Sequence, residues 1–257
     1  GDYNVTPRLR LAAARGELCL SEEGDASVEV LEAAFDVEVD VLAAHGAVAT
    51  FDPARQSWDP PAAAGVCLDV TVLDAETGEL VASHRGSALR QQVRRGVAVG
   101  ACSVALPPAR ARLWSAESPA LYRVVLSLVN EAAGVALVTE ETEAGLREVC
   151  VADGELRVNG MRATIRGANR HEHDAVRGKA LTYESMKLDG ALLKRANFNA
   201  VRCSHYPNSQ LWYALCDRIG LYVFDEANLE THGFHELDGY PNAELTRDPQ
   251  WAAALLE

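Results

Sequence analysis

The hydrophobic pattern of the chain changes its period near residue 149, and this change constrains the fold more than any other feature. Before it, apolar residues alternate with polar ones, as over residues 35–41. Strict alternation buries one face of a β-sheet and exposes the other to water. After it, short apolar strands alternate with segments of helical period, which is typical of parallel β/α folds. The sequence therefore predicts two domains of different class, over 1–148 and 149–257.

The first part consists of many short strands with turns between them. Alternation continues over 66–72, and the ETG at 76–78 supplies a turn toward a hairpin partner at 80–84. Further strands are predicted at 27–41, 97–106, 121–129 and 135–142. Many short strands without a convincing helix are typical of a β-sandwich. The stretch 43–64 is rich in Pro, Gly and Ala, so it is predicted to be a surface loop.

The second part opens with a hairpin and continues as a β/α alternation. Asn159-Gly160 is a strong type I′ turn signal, and the strand after it is predicted at about 162–167. The elements that follow are a helix at 184–196, a strand at 199–203, a helix at 209–219 and a strand at 221–224. Ser209 is the expected N-cap of the second helix, and Gly220 is expected to end it. Such alternation builds a parallel sheet.

Composition argues against several kinds of partner. The 257 residues include 24 Lys and Arg against 37 Asp and Glu, which gives a formal net charge of −13. Phosphate backbones and anionic lipid headgroups repel such a protein, so we expect neither nucleic acid nor a membrane as a partner. No stretch approaches the roughly 18 consecutive apolar residues of a transmembrane helix. The six cysteines show neither CxxC nor zinc-finger spacing, and we interpret them as buried free thiols of a reducing compartment.

Polar side chains concentrate where the strands of the second part are expected to end. They are Arg166, Asn169, Arg170, His171, Glu172 and His173 after the first strand, Arg202, Ser204 and His205 after the second, and Asp225, Glu226, Asn228, Glu230 and His232 after the third. In a (β/α)₈ barrel the loops after the strands open on one face, which carries the active site. Three segments that deliver polar groups to one edge favour an active site over scattered surface residues.

Some of these residues allow more than one interpretation. Glu230 and His232 stand close together, and carboxylate oxygen with surrounding water suits Mg²⁺. An isolated E-x-H is common in exposed loops, so this spacing alone leaves the metal open. Asp225-Glu226 fits either general acid–base chemistry or a hydrogen-bonding pair at a strand end. His173 fits a solvated loop residue.

Four segments of the chain resemble glycoside hydrolase family 2, and they occur in the family order. They are LWSAESPALYRVV (113–125), IRGANRHEHD (165–174), NAVRCSHYPNSQLWYALCDRIGLYVF (199–224) and DEANLETHG (225–233). The resemblance is close over 113–251, and the ETHG after DEAN favours the β-galactosidases of the family. It implies a multidomain β and α/β protein. An immunoglobulin-like β-sandwich would be followed by the first three β/α units of an incomplete TIM (β/α)₈ barrel.

The resemblance also implies roles for individual residues. The implied catalytic residues are His171 and His205, the implied substrate-binding residues are Arg166, Arg202 and Asn228, and the implied metal ligands are Glu230 and His232. The two histidines match residues that hold sugar hydroxyls, and such hydrogen bonds tighten in the oxocarbenium-like transition state. The implied cofactor is Mg²⁺, with Na⁺ as a further ion of the full-length protein.

The catalytic carboxylates of the family have no match in this chain. Retaining hydrolysis needs an acid/base and a nucleophile, which the family places on later strands. No Asn-Glu pair, the family's acid/base context, occurs between 234 and 257. We therefore expect an internal fragment of a retaining β-galactosidase that is inactive alone. We also expect poor solubility, because an unclosed sheet would expose leucines together with Trp212 and Tyr213.

Three other functions stay open from the sequence. The first is another activity on the same scaffold, such as β-glucuronidase, and the second is a non-catalytic carbohydrate-binding module. The third is a metal-dependent hydrolase with His171, His205, Glu230 and His232 as ligands, a set better suited to Zn²⁺ or iron. Under the leading interpretation we expect a lactose-like substrate with terminal non-reducing β-D-galactose, a homo-oligomeric full-length protein and a cytoplasmic location.

Overall fold

The chain divides after Thr164 into two units, Gly1–Thr164 and Ile165–Glu257. A computed structural model describes residues 3–20, 26–43, 50–52, 57–59, 65–92, 97–230 and 249–252. The strands of the first unit are β1 (Tyr3–Leu20), β2 (Ala26–Ala43), β3 (Thr50–Asp52), β4 (Ser57–Asp59), β5 (Val66–Asp74), β6 (Leu80–Ala88), β7 (Arg90–Gln92), β8 (Val97–Ala105), β9 (Tyr122–Asn130), β10 (Val135–Ala144), β11 (Val149–Ala152), β12 (Glu155–Val158) and β13 (Met161–Arg162). The second unit holds β14 (Gly167–Arg170), α1 (Tyr183–Arg195), β15 (Ala200–Cys203), α2 (Gln210–Ile219) and β16 (Tyr222–Phe224). Single 3₁₀ turns lie at Pro108–Arg110 and Pro249–Trp251.

Two four-stranded sheets form the body of the first unit, in the orders β1-β2-β8-β7 and β10-β9-β5-β6. Both contribute to one hydrophobic core, in which Phe35 of β2, Val70 of β5 and Val124 of β9 are each at most 1% exposed. Alternate residues of β5 and β9 are buried, as the period-2 pattern predicts. The antiparallel pairing of these strands agrees with a sandwich of two sheets.

Two segments of the first unit differ from the prediction. Strand β1 is not predicted from the sequence, because the run AAARG in its middle shows no alternation of apolar and polar residues. Within 43–64, predicted as a loop, β3 and β4 pair as a short antiparallel hairpin with Thr50 opposite Asp59. Ala43 is the last residue of β2, and residues 44–49, 53–56 and 60–64 lie outside the described residues.

The predicted type I′ hairpin is confirmed, but the strand after it is shorter than predicted. Asn159 and Gly160 have φ angles of 54° and 77° between β12 and β13. The strand expected over 162–167 ends at Arg162, and the next strand, β14, begins only at Gly167. The domain boundary at 148/149 stays a prediction, since the division into units falls after Thr164.

The second unit is a parallel sheet with the order β14-β15-β16, and a helix follows each of its first two strands. Thr182 caps α1 through a capping box with Ser185. The Ser209 side chain caps α2 by accepting from Leu211 N, and Gly220 ends this helix in the left-handed conformation with φ 77°. Both helices and the parallel pairing are as predicted.

The core of the second unit is closed around Trp212, which is 0% exposed. The expectation that Trp212 would be exposed is therefore wrong, because α2 packs it against Met186 of α1 and Val201 of β15. Tyr213 is half-buried. The expected exposed leucines are found on α1, where Leu188 and Leu192 are 60% and 52% exposed.

Two further sequence-based expectations concern cysteines and membrane spans. Cys67, Cys102, Cys150, Cys203 and Cys216 form no disulfide, and of these Cys67, Cys203 and Cys216 are buried. Burial raises the pKa of Cys203 to about 11, so this thiol stays protonated at neutral pH. Among the described residues, the helices are all too short or too polar to cross a lipid bilayer.

Candidate active site

The carboxyl ends of the three parallel strands bring the predicted polar segments to one edge. Arg170 pairs with Cys203, and Arg202 pairs with Phe224, so the strands end nearly level. His171, His205 and Glu226 therefore follow their strands at the same edge, as the sequence predicts.

Arg166 does not lie at this edge. It precedes β14, and its carbonyl oxygen accepts from Asn199 N and Ala200 N at the opposite, amino-terminal end of the sheet. The expectation that Arg166 follows the first strand is wrong, because β14 begins at Gly167, five residues after the predicted start at about 162. Its substrate-binding role stays a prediction that the position in the sheet does not favour.

The imidazole rings of His171 and His205 lie 5.4 Å apart between centroids, in an edge-to-face arrangement at 75°. His171 is exposed, and His205 is half-buried behind it. The residues before them are hydrogen-bonded, since Ser204 N and Ser204 Oγ donate to the carbonyl oxygen of Arg170 at 3.1 and 3.2 Å. The two histidines are therefore adjacent, as a site that holds neighbouring sugar hydroxyls would need.

Glu226 anchors both Arg202 and His205. Arg202 Nε donates to Glu226 Oε1, and His205 Nδ1 lies 3.1 Å from Glu226 Oε2. Partial desolvation raises the pKa of Glu226, but the hydrogen bonds from Arg202 and His205 outweigh it and hold the pKa below its ordinary value. Both carboxylate oxygens are engaged as acceptors. Of the two interpretations of Asp225-Glu226, this geometry favours the hydrogen-bonding pair.

The carboxylate also selects the tautomer of His205. A carboxylate only accepts hydrogen bonds. The proton of the neutral ring is therefore on Nδ1, and this N–H donates a hydrogen bond to Glu226. Arg202 Nη2 lies 3.3 Å from His205 Nδ1. Since both nitrogens are then donors, the favourable partner of each is the Glu226 carboxylate. In the neutral ring Nε2 is then an acceptor, and on protonation it becomes a donor.

Asp225 has a separate partner on α2. Tyr213 Oη donates to Asp225 Oδ1 at 2.7 Å and accepts from Asn208 N at 2.5 Å. Burial, together with the bond to this carboxylate, raises the pKa of Tyr213 to about 12. The phenol therefore stays protonated and ties the end of β16 to α2 at neutral pH.

The edge also contains residues that the sequence analysis missed. Tyr206, directly after His205, has its ring centroid 6.3 Å from that of His171. Its hydroxyl accepts from Glu172 N at 3.2 Å and from Lys179 Nζ at 2.7 Å. The position of Tyr206 inside the SHYP segment is the one signal that could have drawn attention to it.

The predicted metal ligands are described only in part. Glu230 Oε2 lies 4.0 Å from His205 Nδ1, at the same edge, whereas His232 falls in 231–248, outside the described residues. Over the part of the chain that the structure describes, no three side chains of His, Cys, Asp or Glu are arranged to hold a metal ion. Asn228 is exposed beyond the end of β16. These roles stay predictions.

Comparisons with known proteins identify relatives of the chain. Residues 149–257 match the family model of the glycosyl hydrolases family 2, TIM barrel domain. The chain is 46% identical over 197 residues to a β-galactosidase of Aeromonas hydrophila, covering 76% of this chain and 19% of that protein. It is 52% identical over 145 residues to a β-galactosidase of Yersinia enterocolitica, covering 56% and 13% of the two chains.

Solved structures show a related fold at low sequence identity. A glycosyl hydrolase family 2 member from Bacteroides cellulosilyticus aligns with a TM-score of 0.66 at 21% identity, over 86% of this chain and 26% of that one. The β-glucuronidase of Bifidobacterium dentium, complexed with coumarin-3-O-glucuronide, aligns with a TM-score of 0.66 at 21% identity, over 88% and 31%.

A parallel β/α sheet with polar side chains gathered at its carboxyl edge is the arrangement in which β/α enzymes place their active sites. Residues 149–257 are thus similar to the TIM barrel domain of glycoside hydrolase family 2. The chain spans 19% or less of the length of these two curated relatives.

Proposed function

We propose that this chain carries the sugar-binding edge of a retaining glycoside hydrolase that releases terminal non-reducing β-D-galactose residues. The observation that carries the proposal is the pair His171 and His205, 5.4 Å apart at the carboxyl edge, with His205 oriented by Glu226. Two adjacent imidazoles can bind neighbouring hydroxyl groups of one sugar ring. We propose that the full-length enzyme also contains an immunoglobulin-like sandwich, a complete barrel and a homo-oligomeric interface, and that it is cytoplasmic.

The histidines would act on the transition state rather than on the bond that breaks. As the sugar flattens toward an oxocarbenium ion, its hydroxyl groups become more acidic and bind more strongly to a fixed acceptor. With Nδ1 committed to Glu226, His205 Nε2 is such an acceptor. The carboxylate prevents the ring from rotating, so little reorganisation is needed during reaction. Arg202 neutralises Glu226 and would contribute to substrate binding through this carboxylate.

The acid/base and the nucleophile would come from elsewhere in the full-length protein. Among the described residues at this edge, Asp225 accepts from Tyr213, and Glu226 is held by Arg202 and His205. A retaining enzyme needs two carboxyl groups about 5 Å apart across the glycosidic bond. We therefore propose that the chain alone does not hydrolyse glycosides.

We also propose a weak Mg²⁺ site formed by Glu230 and His232. Glu230 supplies an exposed carboxylate at the same edge, a hard oxygen donor suited to this ion. When bound, Mg²⁺ would supply positive charge that fixes the position of a sugar hydroxyl or its water. The role of this chain is to hold the Glu230 carboxylate close to His205. Na⁺ is proposed only as a further ion of the full-length enzyme.

Galactoside specificity is favoured over glucuronide specificity by the named relatives of higher sequence identity. Those at 46% and 52% identity are named β-galactosidases, whereas the β-glucuronidase structure is 21% identical and supports only the fold. Neither of the other two alternatives, a non-catalytic binding module and a metal-dependent hydrolase, is supported by an observation as specific as the histidine pair.

The test is to assay the full-length protein on the nitrophenyl β-D-galactoside and β-D-glucuronide side by side. We expect hydrolysis of the galactoside that is strongly reduced in His205→Phe and unchanged in Arg195→Met, an exposed position on α1. Preference for the glucuronide would replace galactosidase with glucuronidase activity. Hydrolysis of neither substrate, in folded protein, would refute the proposal.

A further inference from the structure

We infer that Arg170 is a positioning residue that sets the separation of His171 and His205; the inference rests on the proposed function of these two histidines. Arg170 directly precedes His171 and is only 7% exposed. Arginine is seldom buried to this extent without several partners, because desolvating its charge is costly. The Arg170 side chain is also too buried to contact a substrate over a large area. Its environment therefore points to a role exerted through its neighbours.

The guanidinium connects the end of β14 to both helices and to the loop after β15. Arg170 Nε donates to Asp189 Oδ2 of α1 at 2.9 Å, and Nη1 donates to Asn208 Oδ1 at 3.0 Å. Its Cζ lies 3.9 Å from the ring centroid of Trp212 in α2. A planar guanidinium can form in-plane hydrogen bonds while its face stacks on an indole, which a lysine ammonium cannot do.

The same residue holds the segment of His205 on both sides. Before the histidine, the Arg170 carbonyl oxygen accepts from Ser204 N at 3.1 Å and from Ser204 Oγ at 3.2 Å. After it, Asn208 is bound by the guanidinium at 3.0 Å. His171 follows Arg170 directly along the chain. A displacement of Arg170 would therefore move both imidazoles relative to each other.

The charges around Arg170 explain why the site requires arginine. Glu172 Oε1 lies 3.8 Å from Nη1 and also accepts from Ser209 N, the N-cap of α2, at 3.0 Å. Arg170 Nη2 has no hydrogen-bond partner among the described residues. The stack on Trp212 and the acidic pair Asp189 and Glu172 thus stabilise the charge. A neutral residue here would leave both carboxylates without their cation.

The experiment compares Arg170→Lys, Arg170→Met and Asp189→Asn in the full-length protein, with Arg195→Met as the matched control. Two measurements are made on folded protein: kcat and KM on nitrophenyl β-D-galactoside, and the rate at which diethyl pyrocarbonate modifies each histidine. His84, which lies in the first unit, is the internal reference. Mass spectrometry of peptides gives the ratio of His171 and His205 modification to that of His84.

We expect kcat to fall by ~10²-fold in Arg170→Met, the scale for a reactive geometry displaced by about 1 Å, with a smaller change in KM. In Arg170→Lys, kcat should fall nearly as far, because lysine keeps the charge but not the stack on Trp212 or the two hydrogen bonds. Asp189→Asn should show a smaller loss in the same direction. Both modification ratios should change in the Arg170 variants and stay constant in Arg195→Met.

The possible outcomes separate this inference from the proposed function. Wild-type kcat and unchanged modification ratios in folded Arg170→Lys would overturn the positioning role. So would a change in modification that His84 shows equally, since that reports general loss of structure. If Arg170→Met does not fold, Arg170→Lys and Asp189→Asn decide the question. If the wild-type enzyme hydrolyses no galactoside, the proposed function fails, yet the modification ratios still test Arg170.

Discussion

His205 Nδ1 lies 3.1 Å from Glu226 Oε2, and Arg202 donates to the other oxygen of the same carboxylate. One acidic side chain thus fixes a ring orientation, a ring tautomer and the position of a neighbouring cation. Replacing this carboxylate by an amide should disturb all three, because the amide nitrogen is a donor that opposes either Arg202 or His205. We expect Glu226→Gln to lower kcat of the full-length enzyme by ~10²-fold, the scale for one preorganised interaction in an active site.

The control for this prediction is Glu184→Gln, which removes an exposed carboxylate from the first turn of α1. Steady-state kinetics of both variants on nitrophenyl β-D-galactoside provide the measurement. An equal kcat for Glu226→Gln and Glu184→Gln would show that the bond to His205 has no catalytic consequence.

The contribution of Glu226 to stability should depend on pH with a defined sign. Its folded-state pKa is lower than its ordinary value, so folding favours the ionised carboxylate. The stabilisation is therefore fully present above about pH 4.3, the ordinary glutamate value, and is lost as the pH falls through the lower folded-state pKa. Melting temperatures of wild type and Glu226→Gln should differ at neutral pH and converge in acid. A difference that stays constant with pH would contradict this assignment.

The two histidines should contribute jointly rather than independently. We expect His171→Ala and His205→Ala each to lower kcat by ~10²-fold, and the double variant to lose less than the product of the two effects. The reason is that the rings are 5.4 Å apart and would bind the same sugar. His84→Ala, in the first unit, is the matched control and should leave kcat unchanged. Strictly multiplicative losses would indicate that the histidines act at separate places.

Tyr213→Phe should destabilise the second unit. The change removes the donor to the exposed Asp225 and the acceptor of Asn208 N, and leaving a buried N–H such as that of Asn208 unpaired costs about 1–3 kcal/mol in the free energy of unfolding. Urea denaturation measures this loss, with the exposed Tyr183→Phe as a control expected to change little. In alkaline titration, Tyr213→Phe should also remove a phenol that titrates near pH 12. Normal stability, together with loss of a phenol that titrates near the ordinary tyrosine value of about 10, would refute the hydrogen-bonding role.

Mg²⁺ should bind weakly to this chain and depend on Glu230. One carboxylate and one imidazole, completed by water, form a poor site because Mg²⁺ releases its water reluctantly. Calorimetric titration should show weak heats that disappear in Glu230→Gln. Tight, stoichiometric binding would mean that the ligand set is larger than Glu230 and His232.

The sequence predicted local structure well where the signal is local. Ser209 and Gly220 delimit α2 because capping depends on a few neighbouring residues, and Asn159-Gly160 specifies its turn for the same reason. Strand ends are less well determined by local signals, which is why Arg166 was expected on the wrong side of β14. A strand such as β1 has no alternation at its centre and is defined by its pairing with β2.

The site was predictable as a set of residues but not as a network. The histidines and Glu226 follow strands, so the rule for parallel β/α folds places them at one edge. Which of them touch depends on side-chain directions and packing across the sheet. Arg170 illustrates the limit, because its partners Asp189, Asn208 and Trp212 are 19 to 42 positions away and are brought together only by the fold. Likewise, the sequence could not decide whether Glu226 serves acid–base chemistry or hydrogen bonding, because that choice depends on its contacts with Arg202 and His205 in the fold.

All side chains described at the carboxyl edge come from one uninterrupted stretch between β14 and Glu230. Contacts between residues near each other in the chain form faster than distant ones. During synthesis from the amino terminus, the histidine pair and its Glu226 anchor can therefore assemble as soon as Glu226 has left the ribosome. A segment with this property can also be transferred between genes as one block without separating the histidine pair from Glu226.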